Sequence, residues 1–142
     1  MKVRVFQTDD TEAVVELWEK CGLLRAWNDP RLDILRKQSV GAELFLVGSV
    51  NDVIVASVMG GYDGHRGWMN YLAVDPQHRK GGFARLIVTA LERRLVAVGC
   101  PKVNLQVRTD NTSVLEFYRQ IGYSVDEVTS LGKRLIPDTT ND

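Results

Sequence analysis

The residues with the most chemical content fall between positions 76 and 91. Arg79, Lys80 and Arg85 lie there, no Asp or Glu accompanies them, and Gly81 and Gly82 stand between the cations. Ahead of them runs Tyr71-Leu72-Ala73-Val74, an apolar strand-like stretch that Asp75-Pro76 ends, because proline lacks a ladder N–H and fixes its own φ. After them Ala84, Ile87, Val88, Leu91 and Leu95 repeat at three and four, the spacing of a helix face. Strand, glycine loop, helix is one way to hold an anion. The first-turn N–H groups of a helix have no internal partner, the helix dipole favours negative charge there, and glycine lets backbone approach a phosphate closely. The plain alternative is a turn with a solvated basic face, and the loop residues alone leave both open. Spacing excludes two phosphate motifs. No Lys-Ser or Lys-Thr follows a glycine, as a Walker loop requires, and G-x-G-x-x-G is absent.

What is present is Arg79-x-x-Gly82-x-Ala84, directly after a strand ending Val-Asp-Pro. This resembles the R/Q-x-x-G-x-G/A loop of the GNAT family, the Gcn5-related N-acetyltransferases. Asn111-x-x-Val114-x-x-Phe117-Tyr118-x-x-x-Gly122-Tyr123 resembles that family's second signature, N-x-x-A-x-x-x-Y-x-x-x-G-F, with Val for Ala and Tyr for Phe. The likeness runs over positions 3–136. Within it LLRAWNDP, MGGYDGHRG and SLGKRLI resemble a small bacterial branch, the YpeA-like acetyltransferases, which supplies no acceptor.

The resemblance implies an acetyl-CoA-dependent N-acetyltransferase, moving acetyl to a primary amine of a small molecule or protein by direct attack in a ternary complex. It implies that the segment Arg79, Lys80, Gly81, Gly82 and Ala84 holds the diphosphate, with Lys80 or Arg85 meeting residual charge. The cofactor arm would pair with backbone near Leu72 and Val74, as an added strand does. Tyr118 would protonate the departing sulfur. Asn111 would touch the cofactor arm or simply cap its helix. Where the branch acting on ribosomal-protein N-termini carries a Glu, this chain has Gln106, and an amide takes no proton. Gln106 is left to position a water. His65, Asp63 and Glu43 remain as bases, and an acceptor amine with a pKa near ~8 needs none. Trp27, Asn28, Asp63 and His65 are the acceptor candidates, while Asp29 reads as a helix cap. Asp63 suits a cationic acceptor and Arg25 or Arg66 an acidic one; the sequence does not decide. The missing carboxylate keeps open a non-catalytic acyl-CoA-binding sensor or regulatory module. A nucleotide-phosphate protein on another α/β fold is the third reading, which the missing spacings disfavour.

These groups need a scaffold. Residues 2–6 alternate as a first strand. Asp9 and Glu12 suggest a capping box for a helix with the stripe Ala13, Val14, Leu17, Trp18 and Cys21, stopped at Gly22. Asp29-Pro30 starts a second helix reaching about Val40. Residues 44–50 and 53–59 form a hairpin about Asn51-Asp52, and residues 60–67 read as a glycine-rich loop. A strand at 68–74, the central helix, a strand at 102–108 and a helix with the stripe Val114, Leu115, Tyr118 and Ile121 follow. Residues 123–128 and 131–136 read as two closing strands. The expected class is α/β (α+β), with four helices on a mixed, mostly antiparallel sheet of about seven strands. The GNAT likeness adds a splay between strands 4 and 5.

Length suits one domain over residues 1–136 with a polar, disordered tail at 137–142. Eighteen Lys+Arg against eighteen Asp+Glu argue against a nucleic-acid or membrane-surface partner. No apolar run approaches the ~20 residues of a membrane span, and the start carries no signal core, so a cytoplasmic protein is expected. Cys21 and Cys100 stand apart, indicating neither a disulfide framework nor a metal site. The closing strands offer a way to pair across a homodimer.

Overall fold

The computed structural model describes residues 1–138. Its strands are β1 (Lys2–Val5), β2 (Phe45–Val50), β3 (Val53–Tyr62), β4 (Gly67–Val74) and β5 (Val103–Leu105). Its helices are α1 (Thr11–Lys20), α2 (Pro30–Gln38), α3 (Phe83–Ala97) and α4 (Thr112–Gln120). The sheet order is β1-β2-β3-β4-β5. The first three pairings are antiparallel and β4–β5 is parallel.

Both faces of the sheet are covered, and alternation decides what each buries. Leu46, Ala56, Val58 and Met69 meet Ile87, Val88, Leu91 and Leu95 of α3. Phe45, Val47, Met59 and Ala73 meet Val14, Leu17 and Trp18 of α1 and Ile34 of α2. The β2–β3 hairpin turns on Asn51 and Asp52 at φ 50° and 64°, the two positive values of a type I′ turn.

Several expectations are corrected. Half of the glycine-rich loop is strand, since Gly60, Gly61 and Tyr62 belong to β3 and Gly67 to β4, leaving residues 63–66 as the turn. Glycine is needed at Gly60 because α3 packs directly on the strand: a Cβ there would sit 2.4 Å from Leu91 Cδ1. The acidic residue ordering the start of α1 is Asp10, not Asp9. Asp10 accepts the Arg4 guanidinium at 2.7 and 2.9 Å and the Gln7 N–H at 2.8 Å. Asp29 caps α2 as expected, accepting from the N–H groups of Arg31 and Leu32.

The sheet has five strands among the described residues, not seven. Neither closing strand forms between Tyr123 and Asp138. β5 pairs over three residues only, so its outer edge is a short template. The following segment is held beside it by side chains, Lys102 Nζ to Asp126 Oδ2 at 2.9 Å and Gln106 Nε2 to Ser130 Oγ, rather than by a backbone ladder. Val128, Leu131 and Leu135 stay more than four-fifths exposed, so burial offers little to offset the entropy of ordering a strand. Of the expected tail, residues 139–142 lie outside the described residues. Asp138 is anchored: it accepts from Arg36, Arg134 and the Asp29 N–H at 2.6–2.8 Å.

Candidate functional site

The loop between β4 and α3 has the backbone of an anion cradle. Lys80 and Gly82 take φ of 72° and 80°, left-handed angles of the kind found in anion-binding nests. Gly82 is the N-cap of α3 and supplies no side-chain cap. The first helical bond runs from Leu86 N–H to Gly82 C=O at 3.1 Å. Among the described residues the N–H groups of Lys80 and of residues 82–85 have no acceptor, while that of Gly81 closes a turn over Arg79 and Lys80. A Cβ built on Gly82 meets nothing within 4 Å, so that side of the loop is open. A groove of about 430 Å³ adjoins it, lined by Gly81, Gly82, Arg85, Thr89 and Arg93 among others. These residues fit a diphosphate. Arg93, two turns beyond Arg85 on the same helix face, was not singled out from sequence, although the spacing Arg85-Thr89-Arg93 carries the signal. Arg79 instead turns back, its Nε donating to Val74 C=O at 3.2 Å, which ties the loop to the end of β4.

Beyond Met69, β4 loses its parallel neighbour while continuing to Val74, so the two strands part. The β3–β4 register slips between Ser57 and Met59, setting Tyr71 and Leu72 against the one residue Val58. This is a β-bulge, and Tyr71 carries it at φ 52°, an unusual angle for an aromatic residue. Asp75 N–H reaches Val55 C=O, so alternation turns the backbone groups of Val74, and of Leu72 before it, away from β3 and toward the gap. Val74 C=O is already met by Arg79 and by Cys21 Sγ.

The bulge is pinned from below by residues that sequence reasoning missed. Trp18 Nε1 donates to Ser57 Oγ at 2.9 Å, and Ser57 Oγ donates to Tyr71 C=O at 2.9 Å. Trp18 and Ser57 are fully buried, and the Trp18 ring stacks on Tyr71 at 3.8 Å. The Tyr71 hydroxyl donates to Asp33 Oδ2 at 2.7 Å, and burial, then this carboxylate, push its pKa up. Ser57→Ala strands a buried indole N–H and a carbonyl, and is expected to cost ~1–3 kcal/mol in chemical denaturation. Ser57→Thr, which retains the hydroxyl, separates the bond from the methyl volume.

On α4, Asn111 caps the helix, its Oδ1 accepting from Val114 N–H at 3.4 Å. Tyr118 is 8% exposed between Phe117 and Tyr123, whose rings lie 5.1 and 5.5 Å away edge-on. Burial pushes its hydroxyl up to about 12. Tyr118 and Gln106 both line a groove of about 920 Å³ along the outer edge of β5, the space left where the closing strands do not form.

The remaining candidates divide. Trp27 and Asn28 meet arginines from the C-terminal part of the chain: the Arg108 guanidinium lies 6.0 Å over the Trp27 ring, and Asn28 Oδ1 accepts from Arg134 at 2.8 Å. Asp63 and His65 sit at the far end of β4, roughly 16 Å of strand from Leu72 at ~3.3 Å per residue. There Asp63 accepts the N–H groups of Arg66 and His65, both at 2.8 Å, bonds that hold its carboxyl below the usual range. It closes a hairpin turn. Glu43 lies in the 3-10 turn Ala42–Leu44 before β2.

The Acetyltransferase (GNAT) family model matches residues 6–123. The chain belongs to the GNAT acetyltransferase family. An acetyltransferase of Yersinia pestis (strain Pestoides F) is 54% identical over 138 residues, covering 97% of this chain and 98% of that one. Among solved structures, Ard1 from Thermoplasma volcanium superposes with TM-score 0.80 at 25% identity, over 88% of this chain and 83% of that one. AAC(6')-Iy in complex with the bisubstrate analogue CoA-S-monomethyl-acetylneamine superposes with TM-score 0.75 at 15% identity, over 94% and 98%. The GNAT protein described here is thus an N-acetyltransferase of bacterial type, and its family uses acetyl-CoA. No helix among the described residues is long and apolar enough to cross a membrane.

Proposed function

We propose that this GNAT protein transfers acetyl from acetyl-CoA to a primary amine by direct attack in a ternary complex. The observation that carries the reading is the run of unpartnered N–H groups over residues 82–85, placed at one end of the parted strands. Those amides, with Lys80, Arg85 and Arg93, hold the diphosphate. The outward backbone of Leu72 hydrogen-bonds the cofactor arm as a neighbouring strand would. When the amine attacks, a C–N bond forms and the C–S bond breaks. Tyr118, protonated at neutral pH, supplies the proton to the sulfur. Gln106 is an amide and accepts no proton, so the amine sheds its own to water, and water returns one to the Tyr118 phenolate.

Calorimetric titration tests the reading, with acetyl-CoA and desulfo-CoA against ATP and NAD. Micromolar binding of both CoA species, without binding of ATP or NAD, is the expected result. Binding of neither CoA species reduces the loop to a turn and sinks the assignment. Acetyl-CoA binding with no thiol released by any amine favours a non-catalytic acyl-CoA module instead.

A further inference from the structure

We infer that the acceptor is a small amine carrying an anionic group, a carboxylate in the first instance, and that Arg108 binds it. The inference rests on the acetyltransferase reading and goes on to the chemistry of the acceptor. Val103 and Leu105 of β5, and Val107 just beyond it, pack toward α3 and α4. Alternation sends Asn104 to the opposite face, where it pairs in register with Trp68, and Gln106 and Arg108 continue that pattern past the end of the strand. The position of Arg108 over Trp27 agrees with this, because Trp27 belongs to the α1–α2 connection on that face. Past the end of β5, that face therefore presents the Arg108 guanidinium beside the Trp27 indole.

Three of the four carboxylates around this face are already engaged. Asp33 takes the Tyr71 hydroxyl at 2.7 Å and Arg36 at 3.4 Å. Asp138 takes Arg36, Arg134 and the Asp29 N–H. Asp29 takes two N–H groups of α2. Asp110 is exposed in the turn leading to α4. Arg108 is in a different state. Among the described residues no carboxylate or carbonyl accepts from its side chain, which is exposed, and the Trp27 ring lies 6.0 Å from it. A guanidinium laid over an aromatic ring keeps its in-plane N–H donors free, and that fork matches a carboxylate in two-point geometry. A cationic acceptor such as a polyamine would instead meet an unpaired arginine, with the exposed Asp110 as the one free carboxylate beside it among the described residues. An amine with a carboxylate a few bonds away neutralises Arg108 and leaves its nitrogen free to reach the acetyl carbon.

The test uses matched acceptors with the full-length protein and free-thiol detection: 4-aminobutyrate, butylamine, 1,4-diaminobutane, and aminoethyl phosphate as the phosphate counterpart. Acetyl-CoA calorimetry is run beside it. The wild type is expected to prefer 4-aminobutyrate over butylamine by ~10–100-fold in kcat/KM, the range of one charge-assisted bond. Arg108→Gln should collapse that preference through KM rather than kcat, Arg108→Lys should restore part of it, and both should bind acetyl-CoA as the wild type does. Preference for aminoethyl phosphate, abolished by the same substitution, keeps the anionic acceptor and makes its group a phosphate. Preference for butylamine or the diamine, a preference that survives Arg108→Gln, or acetyl-CoA binding with no transfer to any anionic amine, each overturns the inference while the family reading stands. Loss of acetyl-CoA binding in the wild type overturns the underlying reading instead.

Discussion

Gly82→Asp is expected to weaken acetyl-CoA binding by at least ~100-fold, the largest single effect on affinity that the structure points to. Three terms act together. At φ 80° a side chain of L configuration is disfavoured by ~1–2 kcal/mol. The new carboxylate projects into space that holds no atom within 4 Å, on the open side of the loop. It can then accept the loop N–H groups itself, removing charge-assisted bonds worth ~1.5–3 kcal/mol each to a diphosphate. It also repels that diphosphate, by ~1–4 kcal/mol at 4 Å across the range from water to a protein surface. Stability should fall by no more than the backbone term, because the added atoms overlap nothing. Gly82→Asn is the control. Asparagine tolerates the left-handed region as aspartate does but carries no charge, so it should weaken binding less than ~10-fold if electrostatics dominate. Equal losses in both variants, read by calorimetry, would assign the effect to backbone geometry. No loss in either would place the diphosphate elsewhere.

The loop was legible in sequence because its signal is local. The cations, the glycines, the preceding Val-Asp-Pro and the helical stripe lie within about twenty residues, and each follows from a short-range rule. The four helices and the β2–β3 hairpin were legible for the same reason. The bulge was not. Nothing in Tyr71-Leu72 marks a positive φ at a tyrosine. The angle is supported by a buried hydrogen bond between Trp18 and Ser57, thirty-nine residues apart, and by a stacking contact with Trp18. The closing strands failed in the opposite sense. Residues 123–136 contain strand-like alternation, but a strand also needs an edge to pair with, and β5 supplies three residues and side-chain tethers. Asp63 and His65 were attractive as charge and imidazole, yet Asp63 is consumed in closing its own turn. Arg108 was visible as the outward member of an alternating run. Its relation to Trp27 depends on how the α1–α2 connection crosses the sheet, which no local pattern encodes.

Tyr118→Phe is expected to lower kcat by ~100-fold or more while leaving acetyl-CoA affinity unchanged, since a positioned general acid contributes ~10²–10⁴-fold. The substitution removes one oxygen and keeps the ring, so the edge-on contacts with Phe117 and Tyr123 survive. Among the described residues the hydroxyl has no partner, so its loss strands no buried group and should cost little stability. The pH dependence supplies an independent check. Burial holds Tyr118 protonated up to about 12, so deprotonation would switch off the donor only above that pH. A basic limb at lower pH therefore belongs to another group. The rise of rate with pH follows deprotonation of the acceptor amine and should persist, at a lower plateau, in Tyr118→Phe. If the variant turns over as fast as the wild type, the sulfur takes its proton from water and Tyr118 is a packing residue. If kcat falls but acetyl-CoA affinity falls with it, the hydroxyl binds the cofactor arm in the ground state. A fall in kcat alone assigns the interaction to the transition state, where proton donation to the sulfur belongs.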